Sequence, residues 1–159
     1  GRWVIQPGLR CLAAWPGRMM NLDALSPEFS GFFENAQAGR LCFPRCGACG
    51  AFHWYPMPRC PRCRGKDWRW QEISGVGQIH SFTNVEHAFD KERAQDLPYI
   101  VALITFEDAP GVRLISNIVD EDAANLKIGQ SVYPVFDNPV DGQPTVTFRV
   151  TKAEMEALP

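Results

Sequence analysis

Apolar and polar positions divide the chain into an aromatic helix, a cysteine-rich irregular stretch and a run of strands. Ser26-Pro27-Glu28 carries a helix-start signal: a capping serine, proline at the first helical position and an acid in the first turn. The periodicity predicts a helix up to Gly39 with Phe29, Phe32, Phe33 and Ala36 on one face. So aromatic a face predicts packing onto the adjoining domain, with a partner or acyl-chain surface as the competing reading. Leu41-Cys42-Phe43 and Phe52-His53-Trp54-Tyr55 read as short strands, and residues 67–73 alternate Trp68 and Trp70 with polar neighbours as a half-buried strand does.

Ser74-Gly75-Val76-Gly77 marks a boundary, after which the pattern is all β. Strands are predicted at 76–87, 99–107, 112–119, 131–136 and 145–150. Gly77 suggests a bend or bulge, and Pro134 an edge position or a bulge. The continuous apolar run at 99–107 marks a central strand. A long polar loop is expected at 88–98, a hairpin turn at 108–111, a short helix or turn at 120–126 and a second loop through Asn138-Pro139 and Asp141-Gly142. The expected fold class is mainly β: an N-terminal helix, a rubredoxin-like four-cysteine zinc ribbon, then a five-stranded OB-fold Greek-key barrel. An SH3-like barrel or a small sandwich would give a similar pattern.

The expected layout is a disordered tag-derived or upstream-derived tail at 1–19, a helical segment at 20–40, the ribbon at 41–73, the barrel at 74–152 and a tail at 153–159, whose last residues suggest a short helix. The first residues carry Arg2, Arg10 and Arg18, are broken by Pro7, Gly8, Pro16 and Gly17, and make a poor signal peptide. Met19 or Met20 is the expected native start, and Cys11 takes no role. No stretch approaches the roughly 18 apolar residues of a membrane helix, so the expected location is cytoplasmic.

Candidate chemistry concentrates in CFPRCGACGAFHWYPMPRCPRC, residues 42–63. Cys46/Cys49 and Cys60/Cys63 are two Cys-x2-Cys pairs, spaced so that a short hairpin returns the second pair to the first. Four thiolates at tetrahedral geometry form a structural zinc cage with no open position. Gly47 and Gly50 are expected to supply positive φ in the first knuckle, while the second exits through Gly65. Two disulfides, a redox dithiol, or an iron or [4Fe–4S] site are the competing readings. Cys42 reads as a small buried apolar residue, and His53 as no ligand.

The formal charge of −2 argues weakly against a general nucleic-acid binder, but its distribution is uneven. Between Arg40 and Arg69 seven basic residues face one acid, Asp67, whereas residues 74–152 hold six basic and eleven acidic residues. The ribbon is therefore a local cationic patch, either a solvated surface or a site for a phosphorylated ligand or acidic partner. No active site is legible. His53, His80 and His87 belong to no local metal or nucleophile motif, with His80 and His87 expected on opposite strand faces. Asp120-Glu121-Asp122 reads as a solvated helix start, and Gly75-x-Gly77 is too weak for a phosphate cradle.

The order of parts is itself distinctive: FFENAQAGRL, the four-cysteine ribbon with PMPRCPRC, a tryptophan strand, SGVGQIHSFTNV, PYIVALITFED and IGQSVYPVF. It resembles the zinc-ribbon/OB-fold family associated with acyl-CoA metabolism, formerly a domain family of unknown function, over residues 27–150. The resemblance implies a non-catalytic accessory subunit of a thiolase-like enzyme: a thiolase, an acyl-CoA acetyltransferase or a retro-aldol lyase acting on CoA thioesters. That partner would supply the reactive cysteine and histidines, while this chain supports folding, docking and CoA enclosure. Cys46, Cys49, Cys60 and Cys63 match the family's metal ligands, and no catalytic residue carries over. Arg59, Arg62, Arg64 and Lys66 are candidate counter-charges for the phosphates of a CoA thioester. Phe29, Phe32, Phe33 and Trp54 are candidates to shelter an acyl chain or pack on the partner. Competing functions are a single-stranded nucleic-acid binder, opposed by the acidic barrel, and a free-standing acyl-CoA enzyme, opposed by the missing nucleophile–base pair.

Overall fold

A computed structural model describes residues 27–87, 97–138 and 144–151. The expected tails, the Ser26 cap, the Met19 or Met20 start, Cys11, most of the 88–98 loop and most of the loop before residue 144 lie outside these residues. Among the described residues no helix is long and apolar enough to cross a membrane.

The helix begins later than its sequence signal suggests. Pro27–Phe29 forms a 3-10 turn, and the α-helix α1 runs Ser30–Gln37 with Phe29 at its N-cap and no side-chain cap. Gly39 ends it at φ +72°, with its N–H donating to the Ala36 carbonyl. Phe32 and Ala36 are buried, while Phe29 and Phe33 are half-buried. Gly31 is buried as well, because a Cβ there would collide with the Trp70 indole.

Two strands, β1 (Cys42–Cys46) and β2 (Trp68–Glu72), pair antiparallel from Cys42↔Glu72 to Cys46↔Trp68. They form the base of the ribbon. The expected strand at Phe52–Tyr55 does not form: Phe52 makes a single bridge to Arg45, and the His53 N–H donates to the Pro44 carbonyl at 3.1 Å. The strand position beside Arg45 is already taken by Arg69, so the chain between the knuckles has only the far edge of β1 to use.

The remaining strands are β3 (Gly77–Val85), β4 (Tyr99–Thr105), β5 (Arg113–Ile118), β6 (Ser131–Asp137) and β7 (Thr145–Val150). They close a barrel in the order β3-β4-β5-β7-β6, with β5 parallel to β7 at Ile118↔Phe148. This is the five-stranded Greek-key connectivity expected from the sequence, with a 3-10 turn at Ala123–Asn125 between β5 and β6. Asp122 caps that turn by accepting the Ala124 N–H at 2.9 Å, so the first acid-rich turn is structural.

Two details of β3 and β6 refine the sequence reading. The β3 irregularity falls between Ile79 and Ser81 rather than at Gly77. Gly77 instead permits close packing, since a Cβ there would stand 2.5 Å from Ile104 Cγ2. Because the bulge interrupts the alternation, the odd spacing of His80 and His87 no longer assigns them to opposite faces; both are exposed, and His87 lies beyond the strand. Pro134 does occupy an edge position. The β3–β6 pairing ends at Gly77↔Val132, so the missing Pro134 N–H interrupts no ladder on that side.

One apolar core serves both parts. Phe32, Leu41, Phe43 and Ile73 from the helix and ribbon join Ile79, Ile104, Phe106, Val132 and Phe148 of the barrel in one buried cluster. Phe43 is fully buried at the seam, with ring centroids 5.3 Å from both Trp54 and Phe106 and 6.4 Å from Phe32. A small ribbon buries little surface by itself; this one borrows the barrel wall.

Candidate metal centre

β1 delivers Cys46 at its end, where the chain turns through Gly47-Ala48-Cys49, and Gly50 closes the turn at φ +70°. The Gly50 N–H donates to the Cys46 carbonyl at 2.9 Å. The second knuckle repeats the geometry, with the Arg64 N–H donating to the Cys60 carbonyl at 2.9 Å. Here the left-handed position belongs to Arg64, at φ +65°, and not to Gly65. Gly47 likewise is not in the positive-φ region: a Cβ there would meet the Asp67 carboxylate, so this glycine makes room for that acid. The Gly47 N–H also donates to the Asp67 carbonyl, tying the first knuckle to the chain just before β2.

A non-glycine residue in this region is strained by Cβ contacts, which glycine lacks. Arg64→Gly is therefore expected to raise the stability of the zinc-loaded protein by about 0.5–1 kcal/mol, after allowing for the greater freedom of glycine in the unfolded chain. Equilibrium unfolding in denaturant checks this.

The four sulfurs of Cys46, Cys49, Cys60 and Cys63 lie within 4.8 Å of one another. Cys46 Sγ is 3.6 Å from Cys63 Sγ, and Cys49 Sγ is 3.7 Å from Cys60 Sγ. Four sulfurs each about 2.3 Å from a central cation stand about 3.8 Å apart in a tetrahedron, so the donor set fits zinc. Disulfide sulfurs would stand about 2.05 Å apart, which removes the two-disulfide reading. With four thiolates the coordination shell is closed, and the ion's role is to hold the knuckles together.

Backbone donors prepare these thiolates. N–H groups of Cys49 and Ala48 point at Cys46 Sγ and lower its pKa, the Cys49 N–H having the larger effect. The Cys63 and Arg62 N–H groups act in the same way on Cys60, bringing it to about 7 from 9.0. The Gly65 N–H lowers Cys63 too, but the facing sulfurs of Cys46, Cys49 and Cys60, together with burial, push it up to about 12. Sulfurs this close cannot all ionise without a cation between them, and a divalent ion reverses that repulsion.

Cys42 and His53 fall outside the cage. Burial raises the Cys42 thiol, with Glu72 adding to the shift, so Cys42 is an apolar core residue as its sequence context suggests. His53 is 4% exposed, is held neutral by burial, and faces Trp68 edge-on at 6.0 Å.

Arg59, Arg62, Arg64 and Lys66 are all exposed on and after the second knuckle. The structure brings only Arg62 of these to the cleft of about 560 Å³ between ribbon and barrel, which Arg45, Phe52, Glu72, Glu107 and Asp108 also line. Arg45 was not singled out by the sequence. It donates from Nε to the Gly50 carbonyl and lays its guanidinium over the Phe52 ring at 5.4 Å, a placement legible only once Phe52 bridges to β1. Of the candidate aromatics, Phe32 is taken by the core, whereas Phe29, Phe33 and Trp54 remain half-buried. Tyr55, also missed, is 51% exposed and joins Phe29 and Trp54 in an aromatic corner with ring centroids 5.2–6.0 Å apart.

Comparisons with known proteins agree with this architecture. The family description "ChsH2, rubredoxin-like zinc ribbon domain" matches residues 33–69, and "ChsH2, C-terminal OB-fold domain" matches residues 70–137. A probable enoyl-CoA hydratase alpha subunit of Thermomonospora curvata is 32% identical over 135 residues, which is 85% of this chain but 40% of that protein. The chain thus spans well under half the length of that relative. A DUF35 domain-containing scaffold protein of Methanothermobacter thermautotrophicus is 36% identical over 102 residues, covering 63% of this chain and 74% of the relative. Among solved structures, the Ltp2-ChsH2(DUF35) aldolase superposes with a TM-score of 0.71 at 30% identity, over 80% of this chain and 97% of the matched one. A DUF35 protein of unknown function from Sulfolobus solfataricus shares the fold, with a TM-score of 0.58 at 20% identity over 81% of this chain and 89% of the other. The chain belongs to the ChsH2/DUF35 family, in which a rubredoxin-like zinc ribbon is joined to an OB-fold barrel.

Proposed function

We propose that this chain is a non-catalytic accessory subunit of a thiolase-like acyl-CoA enzyme complex, supporting assembly and taking part in binding the CoA thioester. The observation that carries the reading is the likeness, over nearly the whole of the matched chain, to the ChsH2(DUF35) component of an aldolase named together with Ltp2. A metal cage closed by four thiolates supports it, because such a centre shapes a surface and offers no position for a substrate. The outer barrel face supports docking as well. Val101 and Leu103 of β4 point outward, half-buried, and Leu103 stands in register with Ile115 of β5, which is 58% exposed. An apolar sheet face of this kind is completed by another protein surface.

In this reading Phe29, Phe33, Trp54 and Tyr55 pack on the partner, while Arg59, Arg62, Arg64 and Lys66 face the CoA phosphates or an acidic partner surface. The ion is zinc and the compartment is the cytoplasm. A pull-down from native extract followed by mass spectrometry tests the assignment, alongside metal analysis. Recovery of a thiolase-like chain and about one zinc per chain is expected. Salt-sensitive retention of single-stranded oligonucleotide with no protein partner would transfer the chain to nucleic-acid binding. Reversing two charges, Arg59→Glu with Arg62→Glu, is expected to weaken CoA-thioester affinity or partner retention by about tenfold. No change in either would remove these residues from the interface.

A further inference from the structure

The four metal ligands are unequally protected. Cys46 is 2% exposed and Cys60 0%, Cys49 is half-buried, and Cys63 is exposed. The chain around the last ligand explains the difference. A Cβ at Gly65 would lie 3.3 Å from Cys63 Sγ, so this residue, which packs against the sulfur, carries no side chain to cover it. Arg62 and Arg64 flank the cysteine, with Arg59 and Lys66 close in sequence, and all four are exposed. Of the four ligands Cys63 is the one that solvent and a dissolved oxidant reach directly, and exposure governs which sulfur is oxidised first. A second sulfur waits beside it: Cys46 Sγ stands 3.6 Å away and belongs to the other knuckle.

We propose that Cys63 is a modification site for peroxides, through which oxidation expels zinc from the ribbon and leaves a Cys46–Cys63 disulfide. The Cys63 thiolate attacks one peroxide oxygen; an S–O bond forms, the O–O bond breaks, and hydroxide leaves to be protonated to water. The sulfenic acid so formed is reached by the Cys46 sulfur, which forms the S–S bond and displaces a second hydroxide, also protonated to water. Two thiolates lose two electrons, and one peroxide with two protons becomes two waters. Closing the sulfurs from 3.6 Å to about 2.05 Å is a local movement of the two knuckles toward each other. Once Cys46 and Cys63 are joined, only Cys49 and Cys60 would remain to hold a zinc ion, too few for a structural site. The proposal concerns this chain's own sulfurs and is independent of the partner's identity.

The test uses the zinc-loaded full chain and hydrogen peroxide, following metal release with a chromophoric chelator and mapping sulfurs by mass spectrometry. Zinc release in step with the loss of two thiols, a Cys46–Cys63 link in the digest, and Cys63 as the first sulfur to react in timed alkylation are expected. Cys63→His keeps a three-cysteine, one-histidine donor set that still closes a structural zinc site, and its peroxide-driven zinc release should be at least about tenfold slower. Release from that variant at the native rate, a Cys49–Cys60 link, or first reaction at another ligand would overturn the proposal. Should Cys63→His fail to take up zinc, the alkylation order of the native protein decides alone.

Discussion

Cys60→Ser is expected to abolish stoichiometric zinc binding, with the content falling from about one ion per chain to nearly none and the ribbon unfolding. Cys60 is fully buried, and its N–H donates to the Gly65 carbonyl at 2.8 Å, so its thiolate and its backbone together close the second knuckle. Structural zinc sites of this kind contribute on the order of 10 kcal/mol to folding, far more than so small a ribbon gains from its own apolar burial. Tryptophan fluorescence reports the loss, since Trp54, Trp68 and Trp70 lie in and beside the ribbon with ring contacts to Phe43, His53 and each other. Native zinc content in the variant would show that the four sulfurs do not act as one site.

Acid has the same direction of effect. In the metal-free fold the Cys60 thiol lies at about 7 against an ordinary 9.0. Its depressed pKa gives stability lost as pH falls through 7, whereas the raised Cys63 thiol gives stability lost as pH rises toward 12. The acid sensitivity of the loaded protein is therefore set by the metal. Zinc binds only thiolates, so it carries the stable range to lower pH until protons displace it. Metal retention measured across a pH series should therefore fall on acidification and never on mild alkalinisation.

Phe43→Ala is expected to cost about 3–5 kcal/mol, the range for removing a buried aromatic ring and leaving a cavity. The ring is fully buried and touches the helix through Phe32, the ribbon through Trp54 and the barrel through Phe106. Those three parts share one core, so the deletion loosens the seam as well as lowering stability. Denaturant unfolding followed separately by tryptophan fluorescence and by far-ultraviolet circular dichroism checks it: the two transitions coincide in the native protein and separate in the variant. Phe43→Leu, which keeps most of the volume, should cost much less. A loss under about 1 kcal/mol in the alanine variant would mean that the ribbon and barrel hold each other by some other contact.

The sequence by itself determined the four-cysteine ligand set, the succession of five strands along the chain and the acid-led start of the turn at residues 120–126. Each depends on local information: ligand spacing, two-residue periodicity, and capping chemistry within a few residues. The apolar run that starts at Tyr99 announced a strand between two neighbours, and β4 lies between β3 and β5. The knuckles were legible for the same reason, since two residues between cysteines restrict the turn so tightly that few geometries remain.

Tertiary structure decided what depended on competition for a shared surface. Phe52–Tyr55 has the side chains of a strand, yet Arg69 rather than Phe52 holds the long register against β1, and only one bridge is left to the inner segment. Phe29, Phe32 and Phe33 are equivalent in a helical pattern; which ring enters the core was settled by the position of Phe43 and Trp54 beneath α1. The same holds for the arginines of the ribbon, where only the fold brings Arg45 and Arg62 to one cleft. Nor does spacing distinguish four cysteine ligands from one another. Their unequal exposure arises from how the two knuckles meet, because burial depends on chain segments far apart in sequence and periodicity records only neighbours.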